Sequence, residues 1–178
     1  LNADQYIYTL PDGANDVLNA LYRQMQRPTP NGTGGYINDD GGVTYFAFDG
    51  DVTTWVEQTN PNGSIGINYG LQNSVYAGSI GFLPYVSGGG SETWSVSLEY
   101  SVDGLSWNTL DDLGTMVVTD NVWVWTDIDP GQTVQYYRMR AYNGTTLALR
   151  EFYVGNMSRE ITMSRLNRDD YTYLPNQN

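Results

Sequence analysis

The chain has 178 residues, no Cys, no His, and a formal net charge of −12 from 8 basic and 20 acidic residues. Without thiols or imidazoles there is no disulfide framework, no His-based zinc site, and neither Ser-His-Asp nor Cys-His chemistry. Split at residues 40 and 155, the three segments carry −3, −9 and 0, and so acidic a central stretch should repel a phosphate backbone, which argues against direct nucleic-acid binding. Solubility alone accounts for such acidity, with cation binding as the alternative. No apolar run approaches the ~20 residues of a membrane-spanning helix. No signal-peptide pattern is present, and a chain starting at Leu1 is expected to be a processed or excised piece.

The chain opens with a short predicted strand, Gln5 to Leu10, closed by Pro11. Turn residues 12–16 follow, then an apolar cluster of Val17, Leu18, Ala20, Leu21 and Tyr22 whose length does not separate helix from strand. Residues 27–35, RPTPNGTGG, break regular structure and read as a linker. Tyr45, Phe46, Ala47 and Phe48 read as a strand that stops at the acidic turn Asp49-Gly50-Asp51. After the loop Asn60-Pro61-Asn62-Gly63, residues 64–70 alternate in period two and predict a half-buried strand. Trp94, Val96, Leu98 and Tyr100 alternate with Ser95, Ser97, Glu99 and Ser101, predicting one buried and one wet face. Asp103-Gly104 is a hairpin turn signal, and Asp129-Pro130-Gly131 is another turn. Residues 116–118 and 122–125 are further strands, and no helix-length amphipathic pattern occurs between 41 and 155. Many short strands with regular turns predict an all-β sandwich. Beyond residue 156 a strand over 161–166 and a capped helix start at Asn167 are expected, ended by Leu174-Pro175-Asn176.

Several of these stretches resemble the discoidin family, which includes the coagulation-factor C domains and the family 32 carbohydrate-binding modules. Ala47, Asp49, Gly50, Asp51, Thr54, Trp55 and Gly70 fall in register with its first motif. Residues 79–82 resemble its core strand, residues 98–107 its strand, Asp-Gly turn and Trp, 136–140 its penultimate strand and 149–153 its closing strand. The resemblance implies a discoidin-like jelly-roll β-sandwich, galactose-binding-like, over residues 31–156, with short strand or helix segments flanking it. The flanks, 1–30 and 157–178, are similar to a tailed-phage head-to-tail adaptor, also called a tail accessory or packaged-DNA-stabilising protein. Tyr6-x-Tyr8-Thr9-Leu10-Pro11 and Met163 to Asn176 carry that likeness. It implies a non-enzymatic virion structural protein of the phage neck, made in the bacterial host cytoplasm. Its partners would be portal, tail or neck components in a homo-oligomeric ring, with a discoidin-like domain inserted between the flanks. The alternative is a lectin-like module for host-surface glycan, with no nucleic acid and no membrane as partners. An inserted domain should enter and leave its host at neighbouring points, so residues 5–10 and 160–166 are expected side by side.

Three groups of residues could carry chemistry. The resemblance implies a structural Ca²⁺ site built from the Phe46 carbonyl, Asp49, Asp51, Thr54 and Glu151; the plainer reading is a turn satisfied by its own backbone amides. A ligand face could use Tyr85 beside the Ser87-Gly88-Gly89-Gly90 loop, or Trp123 and Trp125 with Asp120 and Asn121. Trp55 is a poor candidate, because its family equivalent packs in the core, and for Trp123 and Trp125 the favoured reading is also burial in a sheet. Asp111-Asp112 and Asp127/Asp129 are carboxylate pairs by type, but adjacent residues of a strand face opposite ways, so no catalytic pair is expected at 111–112.

Overall fold

The computed structural model describes Tyr8–Thr9 and residues 29–41 and 44–155. Their elements are β1 (Tyr8–Thr9), β2 (Gly35–Asn38), a 3-10 turn (Tyr45–Ala47), β3 (Val56–Gln58), β4 (Ser64–Asn68), β5 (Val75–Pro84), β6 (Ser91–Ser101), β7 (Asn108–Thr119), β8 (Val124–Val134), β9 (Tyr136–Ala141) and β10 (Leu147–Gly155). They form two antiparallel five-stranded sheets, ordered β1-β8-β5-β10-β3 and β2-β4-β9-β6-β7. The fold is the discoidin-like jelly-roll β-sandwich expected from the sequence.

The period-two alternation explains how the sheets close on each other. Ile80, Phe82, Val124, Phe152 and Val154 of the first sheet face Ile65, Ile67, Trp94, Val96, Leu98 and Met139 of the second in one apolar cluster. Phe82 and Trp94 stack across the interface with centroids 6.4 Å apart. Tyr137 brings a polar group into this cluster: its buried hydroxyl lies 2.6 Å from the Val75 carbonyl and 2.7 Å from that of Gln132. Burial there pushes its pKa up to about 12.

Three local expectations change. Residues 45–47 form a 3-10 turn and not a strand. The run lacks alternation: Ala47 is buried while Tyr45 is exposed, and the turn feeds straight into the acidic loop. On β6, Trp94, Val96 and Leu98 are buried as expected and Tyr100 is half-buried, but Ser95 and Ser97 are buried as well, and Glu99 is half-buried. This strand is central, between β7 and β9, so its outer residues are roofed by neighbours: Ser95 bonds Thr115 across β7 at 2.8 Å, and its N–H donates to Thr145 Oγ1 at 3.0 Å. Asp129-Pro130-Gly131 lies inside β8, where the pairing with β5 jumps from Ser79–Asp127 to Ala77–Gln132, so the turn chemistry makes a bulge and not a hairpin. Tyr8 pairs with Trp125 and Thr9 with Val124 at the sheet edge, while residues 160–166, expected beside them, lie outside the described residues.

Candidate functional site

The acidic loop follows the 3-10 turn, and local hydrogen bonds link Asp49, Asp51 and Thr54. Gly50, at φ 80°, gives the reversal a conformation that other residues adopt at a cost. Asp49 accepts the Asp51 N–H at 2.7 Å through one oxygen and the Thr54 hydroxyl at 3.0 Å through the other. Thr54 Oγ1 also lies 2.9 Å from the Asp51 carbonyl and 3.5 Å from the Phe46 carbonyl. A carboxylate oxygen and two carbonyl oxygens therefore gather around the Thr54 hydroxyl. This donor set is all oxygen, as a hard cation requires, and is part of the six to eight ligands Ca²⁺ takes. Asp51 contributes its backbone: its carboxylate turns aside to accept the Thr53 N–H at 3.0 Å and hydroxyl at 2.7 Å. Glu151 is fully buried on β10, opposite Leu83. Asp49, Asp51 and Glu151 do not gather as a three-carboxylate cluster, and no such cluster occurs among the described residues.

Directly after the loop stands Trp55. The sequence placed it in the core, but it is 42% exposed, and Val56, next in the chain and the first residue of β3, takes the inward position. Trp55 stacks on Tyr85 with centroids 4.3 Å apart and planes 13° from parallel. The Arg150 guanidinium lies over the Tyr85 ring, 4.9 Å from its centroid. Arg150 also donates to the Val52 carbonyl at 3.2 Å and pairs with Asp120 at 3.2 Å. Asp120 in turn accepts the Val86 N–H at 2.9 Å, and Tyr85 N–H donates to the Ala148 carbonyl at 2.9 Å. The column Trp55–Tyr85–Arg150–Asp120 thus ties four separate stretches of chain together at one end of the sandwich. With Tyr85 flanked by indole and guanidinium, the outer face of Trp55 is the free flat surface.

Of the ligand residues expected from sequence, Tyr85 and Asp120 belong to this column. Asn121 sits in the adjoining turn, at φ 57°, with its N–H on the Pro84 carbonyl at 3.0 Å. Trp123 and Trp125 are both buried and stack on each other at 4.9 Å, so neither offers a ring to a ligand. Their phase is opposite to Val124, which places them on the outer side of the first sheet, where Trp125 covers Gly81 and meets Tyr153 edge-on at 5.4 Å. Asp111 is buried and accepts the Thr126 hydroxyl at 2.9 Å, whereas Asp112 is exposed and accepts from Tyr142 at 2.9 Å, so the two diverge as expected. Trp55 and Arg150 are the two members of the column that sequence reasoning missed.

The sequence matches no family model and no curated protein. Solved structures do match. CBM32-1 from a family 31 glycoside hydrolase of Clostridium perfringens superposes at TM-score 0.56 with 18% identity, covering 72% of this chain and 97% of that one. CpGH89CBM32-5 from the same organism, in complex with GalNAc-β-1,3-galactose, gives 0.56 and 17%, covering 71% and 97%. The family 32 CBM of C. perfringens NanJ, in complex with galactose, gives 0.54 and 17%, covering 68% and 91%. At these identities the likeness is one of fold: a discoidin-like sandwich whose structural neighbours are carbohydrate-binding modules.

Proposed function

We propose that the sandwich is a carbohydrate-binding module that stacks a neutral sugar ring on Trp55. The observation that carries this reading is the exposed indole backed by Tyr85 and braced by Arg150 and Asp120. A large apolar ring at the surface, backed on one face by a stack and leaving the other open, suits a ligand with one apolar face and a rim of hydroxyls. Two structural neighbours that hold galactose or a galactose-containing disaccharide support the ligand class. The acidic loop would hold Ca²⁺ through the Phe46 and Asp51 carbonyls, the Asp49 carboxylate and the Thr54 hydroxyl, and the ion's role would be to stiffen the loop that ends at Trp55.

The sequence likeness of residues 163–176 to a phage head-to-tail adaptor favours a second, compatible reading for the host protein: a neck component of the virion displaying this sandwich. Glycan-array binding followed by titration calorimetry tests the module itself. Trp55→Ala should weaken binding by about 2 kcal/mol or more, roughly thirty-fold, as expected for a central aromatic anchor. Unchanged affinity in that variant would move the site elsewhere.

A further inference from the structure

The outer face of the second sheet carries a groove of about 340 Å³, far from the Trp55 column and separate from it. Ile37, Asp39, Asn68, Trp107, Tyr136 and Arg138 line it, with Gly34, Gly35 and Gly104 at its margins. Register explains the placement. Gly35, Asn68, Tyr136 and Ser101 form one outward row across β2, β4, β9 and β6, and Ile37, Gly66, Arg138 and Glu99 form the next. Gly66 carries no side chain because a Cβ there would fall on the Tyr137 carbonyl and the Arg138 Cβ, so it lets β9 pass close beside β4. The β6–β7 hairpin then brings Trp107 over the second row.

The groove is rigid where it needs to be. Arg138 is held by Glu99 through its Nε and a terminal nitrogen, both at 2.6 Å, and its guanidinium lies 3.9 Å from the Trp107 ring centroid. Trp107 meets Tyr136 edge-on at 6.4 Å. Around this framework several polar groups have capacity left. Asp39 uses one oxygen on Ser64, taking its N–H at 2.7 Å and its hydroxyl at 2.8 Å, and no described residue bonds the other oxygen. Asn68 spends its carbonyl oxygen on the Gly70 N–H at 2.9 Å and keeps its amide NH₂. Among the described residues the Tyr136 hydroxyl has no hydrogen-bond partner. Acceptor, donor and amphoteric hydroxyl thus converge beside an indole, in a volume at the small end of ligand pockets.

We propose that this groove is a second carbohydrate subsite, specific for a neutral mono- or disaccharide unit. Neutrality follows from charge: Arg138 is already neutralised by Glu99, and Asp39 adds a negative charge to a chain of net −12, so a polyanion meets no free cation here. The two sites lie toward opposite ends of the 11-residue β6, with the Trp55 column at the loops leading into that strand and the groove at the hairpin leaving it. An extended strand of that length spans roughly 35 Å, so one small sugar cannot bridge the sites. The domain can engage two units of a branched or clustered glycan and gain avidity.

Gly35 supplies the test. A Cβ there meets no atom within 4 Å, and its φ lies outside the left-handed region, so Gly35→Leu fills the groove without forcing the fold. The probes are galactose, N-acetylgalactosamine, lactose and cellobiose, each titrated to tens of millimolar into ¹⁵N-labelled full chain, with oligogalacturonate as the anionic comparison. The reporters are the indole N–H signals of Trp107 and Trp55. At least one neutral sugar should move the Trp107 signal saturably, in wild type and in Trp55→Ala alike, and Gly35→Leu should abolish that movement while sparing the response at Trp55. The proposal is overturned if no neutral sugar moves Trp107, if only oligogalacturonate does, or if Gly35→Leu leaves the response intact. Failure of the Trp55 site alone would show as a silent Trp55 signal with the Trp107 response retained.

Discussion

Arg150→Ala probes whether the platform is a built structure or a surface coincidence. The side chain holds three partners: the Val52 carbonyl at 3.2 Å, Asp120 at 3.2 and 3.4 Å, and the Tyr85 ring at 4.9 Å. Hydrogen bonds to charged groups contribute about 1.5–3 kcal/mol, and these are long, so the lower end applies. The pair with Asp120 is 15% and 22% exposed, which discounts its Coulombic part further. The cation–π contact adds about 0.5–1 kcal/mol. Asp120 keeps the Val86 N–H and is not stranded, so no large orphan penalty follows. The net loss should be about 2–3 kcal/mol, or roughly 6–12 °C in Tm for a domain of this size. Differential scanning calorimetry of wild type, Arg150→Ala, Tyr85→Leu and the double variant gives both the loss and the coupling. A coupling of about 0.5–1 kcal/mol is expected between ring and guanidinium, and Arg150→Lys should recover only part of the loss, because an ammonium cannot reach all three partners at once. A loss below about 1 kcal/mol with strictly additive variants would refute the reasoning and reduce Arg150 to an ordinary surface ion pair.

Three further outcomes follow from the same geometry. Gly81→Ala should destabilise by about 1–3 kcal/mol in urea unfolding, because its Cβ would fall on the ring carbons of the buried Trp125; near-native stability would mean that the indole is loosely held. The Asp40 carboxyl is held below the usual carboxylate range chiefly by the Thr59 backbone N–H, so its stabilising effect is present above the ordinary carboxylate pKa and lost as pH falls through its own lower value. Asp40→Asn should therefore flatten the acid side of a Tm-against-pH curve, and identical slopes would count against the assignment. In the acidic loop, millimolar Ca²⁺ should raise the wild-type Tm over chelator, by mass action on the folded state, and Asp49→Ala should remove that rise; equal melting of wild type in chelator and Ca²⁺ would leave the loop a plain turn.

The sandwich was legible because its signals are periodic and redundant. Alternation along residues 94–100 and 64–70 and the Asp-Gly turn at 103–104 all point the same way, and each marks an element of the structure, although β4, expected half-buried, is buried on both faces. The errors sit where phase, not composition, decides. Trp55 was assigned inward by its motif, yet a shift of one residue hands the core to Val56 and frees the indole. For Trp123 and Trp125 the favoured reading, burial in a sheet over a place at the ligand, is the one that holds: both are buried and stack on each other. Arg150 carried no signal at all, because its role depends on residues 30 and 65 positions away, Asp120 and Tyr85. The outer groove was equally hidden: Trp107 was recognised as a fold marker, and only the register of four strands sets it over Arg138.

A single irregularity on β10 makes the platform possible. Leu149 and Phe152 both point into the core, which strict alternation forbids for residues three apart. The strand resolves the conflict with a bulge: Leu149 pairs with Pro84 and Glu151 with Leu83, so the pairing passes over Arg150. Two consecutive polar residues thereby leave the core face of a strand that is otherwise apolar. Arg150 is released toward the sandwich end, where it reaches both the Val52 carbonyl and the Tyr85 ring. Val52 belongs to the acidic loop and Tyr85 to the stacked pair, so one side chain fixes the loop and the stacking surface to the same strand. Any ligand that orders the loop must then act on the position of Trp55, one residue past Thr54, and by linkage a sugar that orders Trp55 must act back on the loop. A regular β10 would send Arg150 and Glu151 to opposite faces and leave the two features independent.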